Sequence, residues 1–375
     1  MREQPKDEEP ARRSGLRMAV FAVAATTLGL MLLEGLASFV WLGVDLAGLW
    51  TGGARVIELS EERHCQYDEE IGWVHKPNSM ISDLYGPGCS ITINQDGVRG
   101  LENYADNRPE EVFRTICLGD SFTMGYGVDD RDTFPQMLDD RGGDLLQVVN
   151  MGQGGYSVGQ CYLWLKRLSF SLQPDAIVCV FIVEDFNRLG VDVAQNGYAT
   201  PRFTELGGTL RVENIPVPPR LNPGALLLQQ GEVSNVLSKH SSLIRTIGRI
   251  IPSSSISSED VLATGVVIIR ELTQFCREQG IPITLVLTPT EPELFYAPSI
   301  ANYQSVSSVL AEFTARYEIP FLDVRPMFKG ASPETEHLFL DEAFHHYSPK
   351  GNRIVADALI DWLPRVINDF PNAVD

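Results

Sequence analysis

The chain has 375 residues, 44% hydrophobic and 21% charged, which suits one large α/β domain with appendages and excludes a wholly disordered polymer. Its formal net charge of −19 argues against nucleic-acid binding, which needs a basic surface to meet phosphates. The acidic residues form no tail or block, so the charge favours solubility and says little about substrate.

Residues 1–17 form a polar tail that carries Arg12, Arg13 and Arg17. An apolar run follows from Met18 to Val44, with Glu34 as its only charge. The run is long enough to cross a bilayer as one helix. Basic residues on its N-terminal side predict a cytoplasmic N-terminus and an extracytoplasmic remainder, with Trp41 and Trp50 as interfacial anchors. Glu34 costs about 3 kcal/mol at mid-membrane, which the surrounding Leu, Val, Phe and Ala residues can offset. A cleaved signal peptide and a buried soluble helix stay open as other readings. The run is longer than a usual signal core, and no small-residue cleavage site follows it.

Residues 56–110 carry strand and turn signals: Gly72-Trp73, Lys76-Pro77-Asn78, the alternating Ser90 to Asn94, and the Asp96-Gly97 turn. They predict a small β-rich lead-in. The 6 cysteines include no CxxC pair, which leaves zinc-ribbon and thioredoxin readings without support. Cys117 and Cys179 fall in expected core strands and read as small buried hydrophobes. Cys65 and Cys89 flank the lead-in loops, and a disulfide between them stays open.

The main domain is expected over residues 111–375. Five apolar runs have the length and β-branched content of buried parallel strands: Thr115–Leu118, Leu146–Val149, Ala176–Val183, Ile283–Leu287 and Phe321–Val324. Helical patterns separate them, at Phe134–Leu138, Val158–Leu168, Val261–Phe275 and Val306–Tyr317, and Ser348–Ile367 closes the domain. Alternating strands and helices predict a three-layer, doubly wound parallel sheet. Residues 197–255 interrupt the rhythm as an insertion. It holds a hairpin around Gly207-Gly208, a Pro-rich connector and a helix near Ser234–Ile250.

In such a sheet, ligands bind at the carboxyl ends of the strands. Gly119-Asp120-Ser121 follows the first strand, and Asn150 to Ser157, with Gly152, Gly154 and Gly155, follows the second. Glu184-Asp185-Phe186-Asn187 follows the third, and Asp341 to His346 lies beyond the fifth. Together these supply a nucleophile, oxyanion donors, a base and an orienter, the inventory of acyl transfer. Serine needs a base within hydrogen-bond reach, and His337, His345 and His346 are the histidines near that edge. Asp341 or Glu342 could fix the histidine tautomer. Backbone N–H groups of Ser121 and Gly155 are the expected oxyanion donors. The glycine run lacks the Lys-Ser/Thr of a phosphate loop. The acid–histidine cluster matches no common zinc spacing. Arg188 reads equally as a substrate contact or a surface charge.

These blocks carry a resemblance. Gly119-Asp120-Ser121 followed by Phe-Thr-x-Gly-x-Gly-Val resembles the first block of SGNH/GDSL hydrolases, and Asn150-x-Gly-x-x-Gly155-Tyr-Ser is similar to the second. His346-Tyr347-Ser348-Pro349-Lys350-Gly351-Asn352 resembles the last, in which the catalytic histidine precedes a helix. Asp68-x-x-x-Gly72-Trp73-x-x-Lys76-Pro77-Asn78 and Asn94-x-Asp96-Gly97-x-Arg99-Gly100 resemble a segment before the hydrolase domain of bacterial membrane-anchored members. The resemblance implies a flavodoxin-like α/β fold and an ester hydrolase working through an acyl-serine, without cofactor. Its substrate is an ester-bearing small molecule, lipid or glycan. The implied roles are Ser121 as nucleophile, His346 as base and Asp341 as orienter.

Two departures bear on this. The family's third block offers an Asn side chain to the oxyanion, and here Glu184 holds that place. Glu184 would have to be protonated, or Asn187 substitute, or two backbone donors suffice. The family's acid sits three residues before its histidine, which for His346 is Ala343. His345 with Glu342 has that spacing, but the following Ser and Gly register with His346. Transfer of an acyl group to a cell-surface glycan, deacetylation of one, and a non-catalytic binding module are the alternative functions.

Overall fold

The computed structural model describes residues 18, 21–36, 38–39, 63–104, 111–192, 194, 198–219, 258–330, 337–340, 343 and 345–368. The chain divides into two units, residues 1–54 with 222–254 and residues 55–221 with 255–375. In the first, residues 21–36 are helical, and Phe21, Leu28, Met31, Leu32 and Leu36 are exposed. Among the described residues no helix is long and apolar enough to cross a membrane. The expected span over 18–44 is therefore not supported there, and its last residues, 40–44, lie outside the described ones.

The second unit opens with the lead-in. Strands β1 (Cys65–Asp68) and β2 (Gly72–His75) pair antiparallel, as do β3 (Ser79–Ile81) and β4 (Ile91–Ile93). Arg99 then bridges Ile93 on one side and Asn150 on the other, which ties the lead-in to the main sheet. Cys65 and Cys89 are not joined by a disulfide, against the open expectation.

The main sheet takes β5 (Phe113–Gly119), β6 (Leu146–Gly152), β7 (Ala176–Phe181), β10 (Ile283–Leu287) and β11 (Phe321–Asp323). Each strand coincides with or extends an expected run, except that the third ends at Phe181 and the fifth at Asp323. All pairings are parallel, in the order β6-β5-β7-β10-β11. Numbered among themselves, the strands run 2-1-3-4-5, the flavodoxin-like winding whose switch point falls beside the first strand. Side chains alternate between two cores as the pleat requires. Ile116, Leu118, Ile177 and Cys179 face one layer, and Cys117, Ala176, Val178 and Val180 the other.

The first layer contains α3 (Val158–Leu172), α5 (Ser258–Glu278) and α7 (Ala297–Tyr317). The second contains α2 (Phe134–Gly142) and α9 (Pro349–Val366). Ser157 and Gln160 form a capping box that starts α3. Ser348 caps α9 by accepting from Gly351 N. Of the insertion, β8 (Arg202–Leu206) and β9 (Thr209–Glu213) form the expected hairpin around Gly207 and Gly208. The helix expected at Ser234–Ile250 lies outside the described residues.

Candidate active site

Strand β5 ends at Gly119, and the chain turns at once into the one-turn helix α1 (Ser121–Met124). Asp120 caps that turn, its Oδ1 accepting from Phe122 N at 2.9 Å. The cap sets Ser121 at the first helical position, at the carboxyl end of the sheet's first strand. The second glycine block is drawn against the same turn. Gln153 N donates to Gly119 O at 3.1 Å, and a Cβ on Gly152 would lie 2.0 Å from Met124 N. Only glycine lets the backbone approach so closely. Gly155 follows with φ +76°. Neither the Ser121 nor the Gly155 N–H finds an acceptor among the described residues. Both therefore remain available to a developing oxyanion.

His346 arrives from the other end of the chain. It lies on β13 (His346–Tyr347), which pairs antiparallel with β12 (Phe339–Leu340). Its Nε2 lies 2.7 Å from Ser121 Oγ. Its Nδ1 lies 2.6 Å from the carbonyl oxygen of Ala343. A carbonyl only accepts, so Nδ1 carries the proton and Nε2 presents its lone pair to the serine hydroxyl. The rings of Phe122 and Tyr126 flank the imidazole at centroid distances of 4.5 and 4.9 Å. His345 turns away, at φ +56°, and its Nδ1 pairs with Glu291. The structure thus brings His346, and not His345, to Ser121. The group that His346 Nδ1 meets is thus a backbone carbonyl three residues earlier in the chain. Asp341 and Glu342 lie outside the described residues.

Burial, more than any neighbour, lowers the His346 pKa from 6.5 to about 4. The Ala343 bond and the Asp120 charge act in the opposite direction, whereas Arg188 and His345 reinforce the lowering. The imidazole is therefore neutral at pH 7 and fit to accept a proton.

The third block behaves differently from its sequence reading. Helix α4 (Val183–Asn187) exposes Glu184, whose Oε2 accepts from Asn187 Nδ2 at 2.9 Å. The Asn187 amide is thus engaged with Glu184. The buried polar member of the block is Asp185, which accepts from Ile182 N at 3.0 Å. Arg188 Nη1 reaches Asp185 Oδ1 at 2.5 Å, Asp120 Oδ2 at 2.9 Å and Tyr156 O at 3.0 Å. Burial, then the Asp120 carboxylate, push Asp185 well above the usual carboxylate range. Burial opposes the Arg188 charge, but Asp120 and Asp185 outweigh it and raise its pKa. This Asp120–Arg188–Asp185 group lies directly behind Ser121, whose Oγ is 3.3 Å from Asp120 Oδ2. Sequence reasoning gave none of the three a firm role. The usable signal was the three-residue spacing of Asp185 and Arg188, one turn of a helix at a strand end.

Several solved structures resemble this chain. A lipolytic protein of the G-D-S-L family from Veillonella parvula is 15% identical, with a TM-score of 0.37, over 68% of this chain and 100% of that one. A catalytic mutant of an acetylxylan esterase from Geobacillus stearothermophilus is 14% identical, with a TM-score of 0.41, over 70% of this chain and 97% of that one. Comparison with curated proteins found no match. The family description "GDSL-like Lipase/Acylhydrolase family" matches residues 117–354, more than half of the chain. That span begins in the strand before Ser121 and ends in the helix after His346, and the chain belongs to the GDSL-like lipase/acylhydrolase family, as a hydrolase of the SGNH/GDSL type.

Proposed function

We propose that this hydrolase cleaves a carboxylic ester through an acyl-serine intermediate, with Ser121 as nucleophile and His346 as general base. The observation that carries the reading is the Ser121 Oγ to His346 Nε2 contact at 2.7 Å, with Nδ1 held on the Ala343 carbonyl. Ser121 Oγ attacks the ester carbon while its proton moves to Nε2. The carbonyl oxygen becomes an oxyanion between the N–H groups of Ser121 and Gly155. The tetrahedral intermediate collapses, the ester C–O bond breaks, and the departing alkoxide takes the proton from Nε2. Water then attacks the acyl-serine, again giving its proton to Nε2, and the acid leaves as Ser121 is regenerated.

In this reading the carbonyl of Ala343 fixes the tautomer, which is the positional part of a triad acid's work. The electrostatic part falls to Asp120, whose charge raises the basicity of His346. Two backbone donors hold the oxyanion, because Asn187 is turned to Glu184. The test is hydrolysis of 4-nitrophenyl acetate by the full chain and by Ser121→Ala. The variant is expected to lose on the order of 10⁶ in kcat. Equal turnover by both would reject Ser121. Adding a sugar acceptor separates hydrolysis, which leaves the acetate yield unchanged, from acyl transfer, which diverts it.

We also propose that the chain is attached to a membrane through residues 18–44, with the hydrolase domain on the extracytoplasmic side. The support is the long apolar sequence, broken by the single charge of Glu34, and the arginines that precede it. Alkaline carbonate extraction of membranes from expressing cells tests it: retention in the pellet is expected, and full release would reject it.

A further inference from the structure

A second polar cluster lies in the lead-in. Cys65 and His75 are directly opposed across the β1–β2 ladder, and His64 immediately precedes Cys65. All three are buried to 1% exposure or less, and one ligand atom from each lies within 4.8 Å of the others. Cys65 Sγ is 3.3 Å from His64 Nδ1 and accepts from Gln153 Nε2 at 3.2 Å. Gln153 is itself fully buried and belongs to the glycine block beside Ser121.

Among the described residues, His75 Nε2 and Gln153 Oε1 are buried here without a partner. His75 also hydrogen-bonds the Gly97 backbone. Nε2 has no partner among the described residues, so that bond belongs to Nδ1, and because Gly97 N donates to Asn94 O, the Gly97 carbonyl is the group left to accept from it. This is how a ligating histidine is held: one nitrogen donates to a backbone carbonyl, fixing the tautomer, and the other points its lone pair inward. A buried lone pair with no donor to accept from is costly, and the Gln153 oxygen repeats that cost. An interior that needed only apolar packing would not assemble two imidazoles, a thiol and an amide.

We propose that His64, Cys65 and His75 form a binding site for a thiophilic transition-metal ion, zinc or copper(I), with Gln153 Oε1 as a fourth donor. Two imidazoles and one thiolate are the ligand set that such ions select over magnesium or calcium. On binding, Cys65 gives up its thiol proton to solvent as the sulfur–metal bond forms. Copper(I) with one thiolate is neutral, whereas zinc leaves one positive charge. The role follows from connectivity. The ion clamps the β1–β2 hairpin onto Gln153, two residues before the oxyanion donor Gly155. It is thus a structural ion that positions the glycine block, independent of the Ser121–His346 pair.

The test uses the full chain. Titration with Co²⁺, a spectroscopic stand-in for zinc, is expected to give a thiolate-to-cobalt charge-transfer band saturating at one equivalent and displaced by Zn²⁺. A parallel titration with Cu⁺ against a copper(I)-specific chelator identifies copper if it alone competes. The band should vanish in Cys65→Ser and persist in Cys89→Ser, and metal should raise the melting temperature of the wild type and of Cys89→Ser but not of Cys65→Ser. A folded wild type that binds neither cobalt, zinc nor copper at one equivalent overturns the proposal, whatever the variants do. So does a band that survives Cys65→Ser.

Discussion

At the residue scale, the site separates two tasks that a triad carboxylate usually combines. In the proposed mechanism the carbonyl of Ala343 holds the imidazole in the productive tautomer, while the favourable charge of Asp120 sits beside Ser121. Burial dominates the titration of His346 and sets the direction of the pH dependence. A base with a folded pKa near 4 stays neutral through neutral and mildly acidic pH. Activity is present above that value and is lost as pH falls through it. The acid limb of kcat/KM for a neutral ester should therefore lie near 4, and a limb at the ordinary 6.5 would contradict burial as the controlling cause. Arg188 gives a second test. Its guanidinium bonds two carboxyl groups, both buried, behind Ser121. Arg188→Met should cost about 3–5 kcal/mol by urea unfolding, because it leaves that acidic pair uncompensated. A change below about 1 kcal/mol would place Arg188 with ordinary surface ion pairs.

At the scale of elements, the geometry depends on turns where small residues let segments meet. Gly127 has φ +89°, and a Cβ there would lie 2.5 Å from the Cβ of Ala343, whose carbonyl orients His346. Gly127→Ala should cost about 1–2 kcal/mol in backbone strain. Displacing the histidine turn should also lower kcat about 10²-fold with the fold intact. Normal kcat in that variant would show that the turn tolerates displacement. This level was partly legible in the sequence. The strands were, because period-two and continuous apolar runs are imposed by burial on both faces of a parallel sheet. Ser121, Gly155 and His346 were, because each follows a strand or precedes a capped helix. The Ala343 carbonyl was not, because a backbone acceptor has no residue signature. The place of Asp185 and Arg188 was not legible, because it depends on burial beside Asp120, a contact between the turns that follow the first and third strands. Asn187 was considered as an oxyanion donor because its residue type fits, and only the geometry shows its amide turned to Glu184.

At the scale of the hydrolase unit, the lead-in is part of the architecture that holds the nucleophile. Arg99 is buried and uses every guanidinium donor. Nε bonds Asp130, Nη1 bonds the carbonyls of Met124 and Gly125, and Nη2 those of Ser90 and Val128. One side chain thus joins the lead-in to the loop that leaves α1. Trp73, also buried, donates to Gly154 O at 3.0 Å and stacks near Tyr198. A fragment starting at residue 111 loses both and leaves Tyr156 and the glycine block uncovered. It should fail to unfold cooperatively on heating, whereas the chain from residue 63 should do so. Identical melting temperatures for the two would show that the lead-in is an accessory.

The most direct measurement is intact-mass analysis after fluorophosphonate treatment at pH 7. Four versions of the full chain are compared: wild type, Ser121→Ala, His346→Ala and Asp341→Ala. A single adduct on Ser121 is expected, absent in Ser121→Ala and slowed by at least about 10⁴ in His346→Ala. It should be retained within about tenfold in Asp341→Ala, because the Ala343 carbonyl already orients the imidazole. A folded wild type without an adduct, or loss in Asp341→Ala equal to that in His346→Ala, would contradict a serine–histidine pair oriented by the backbone.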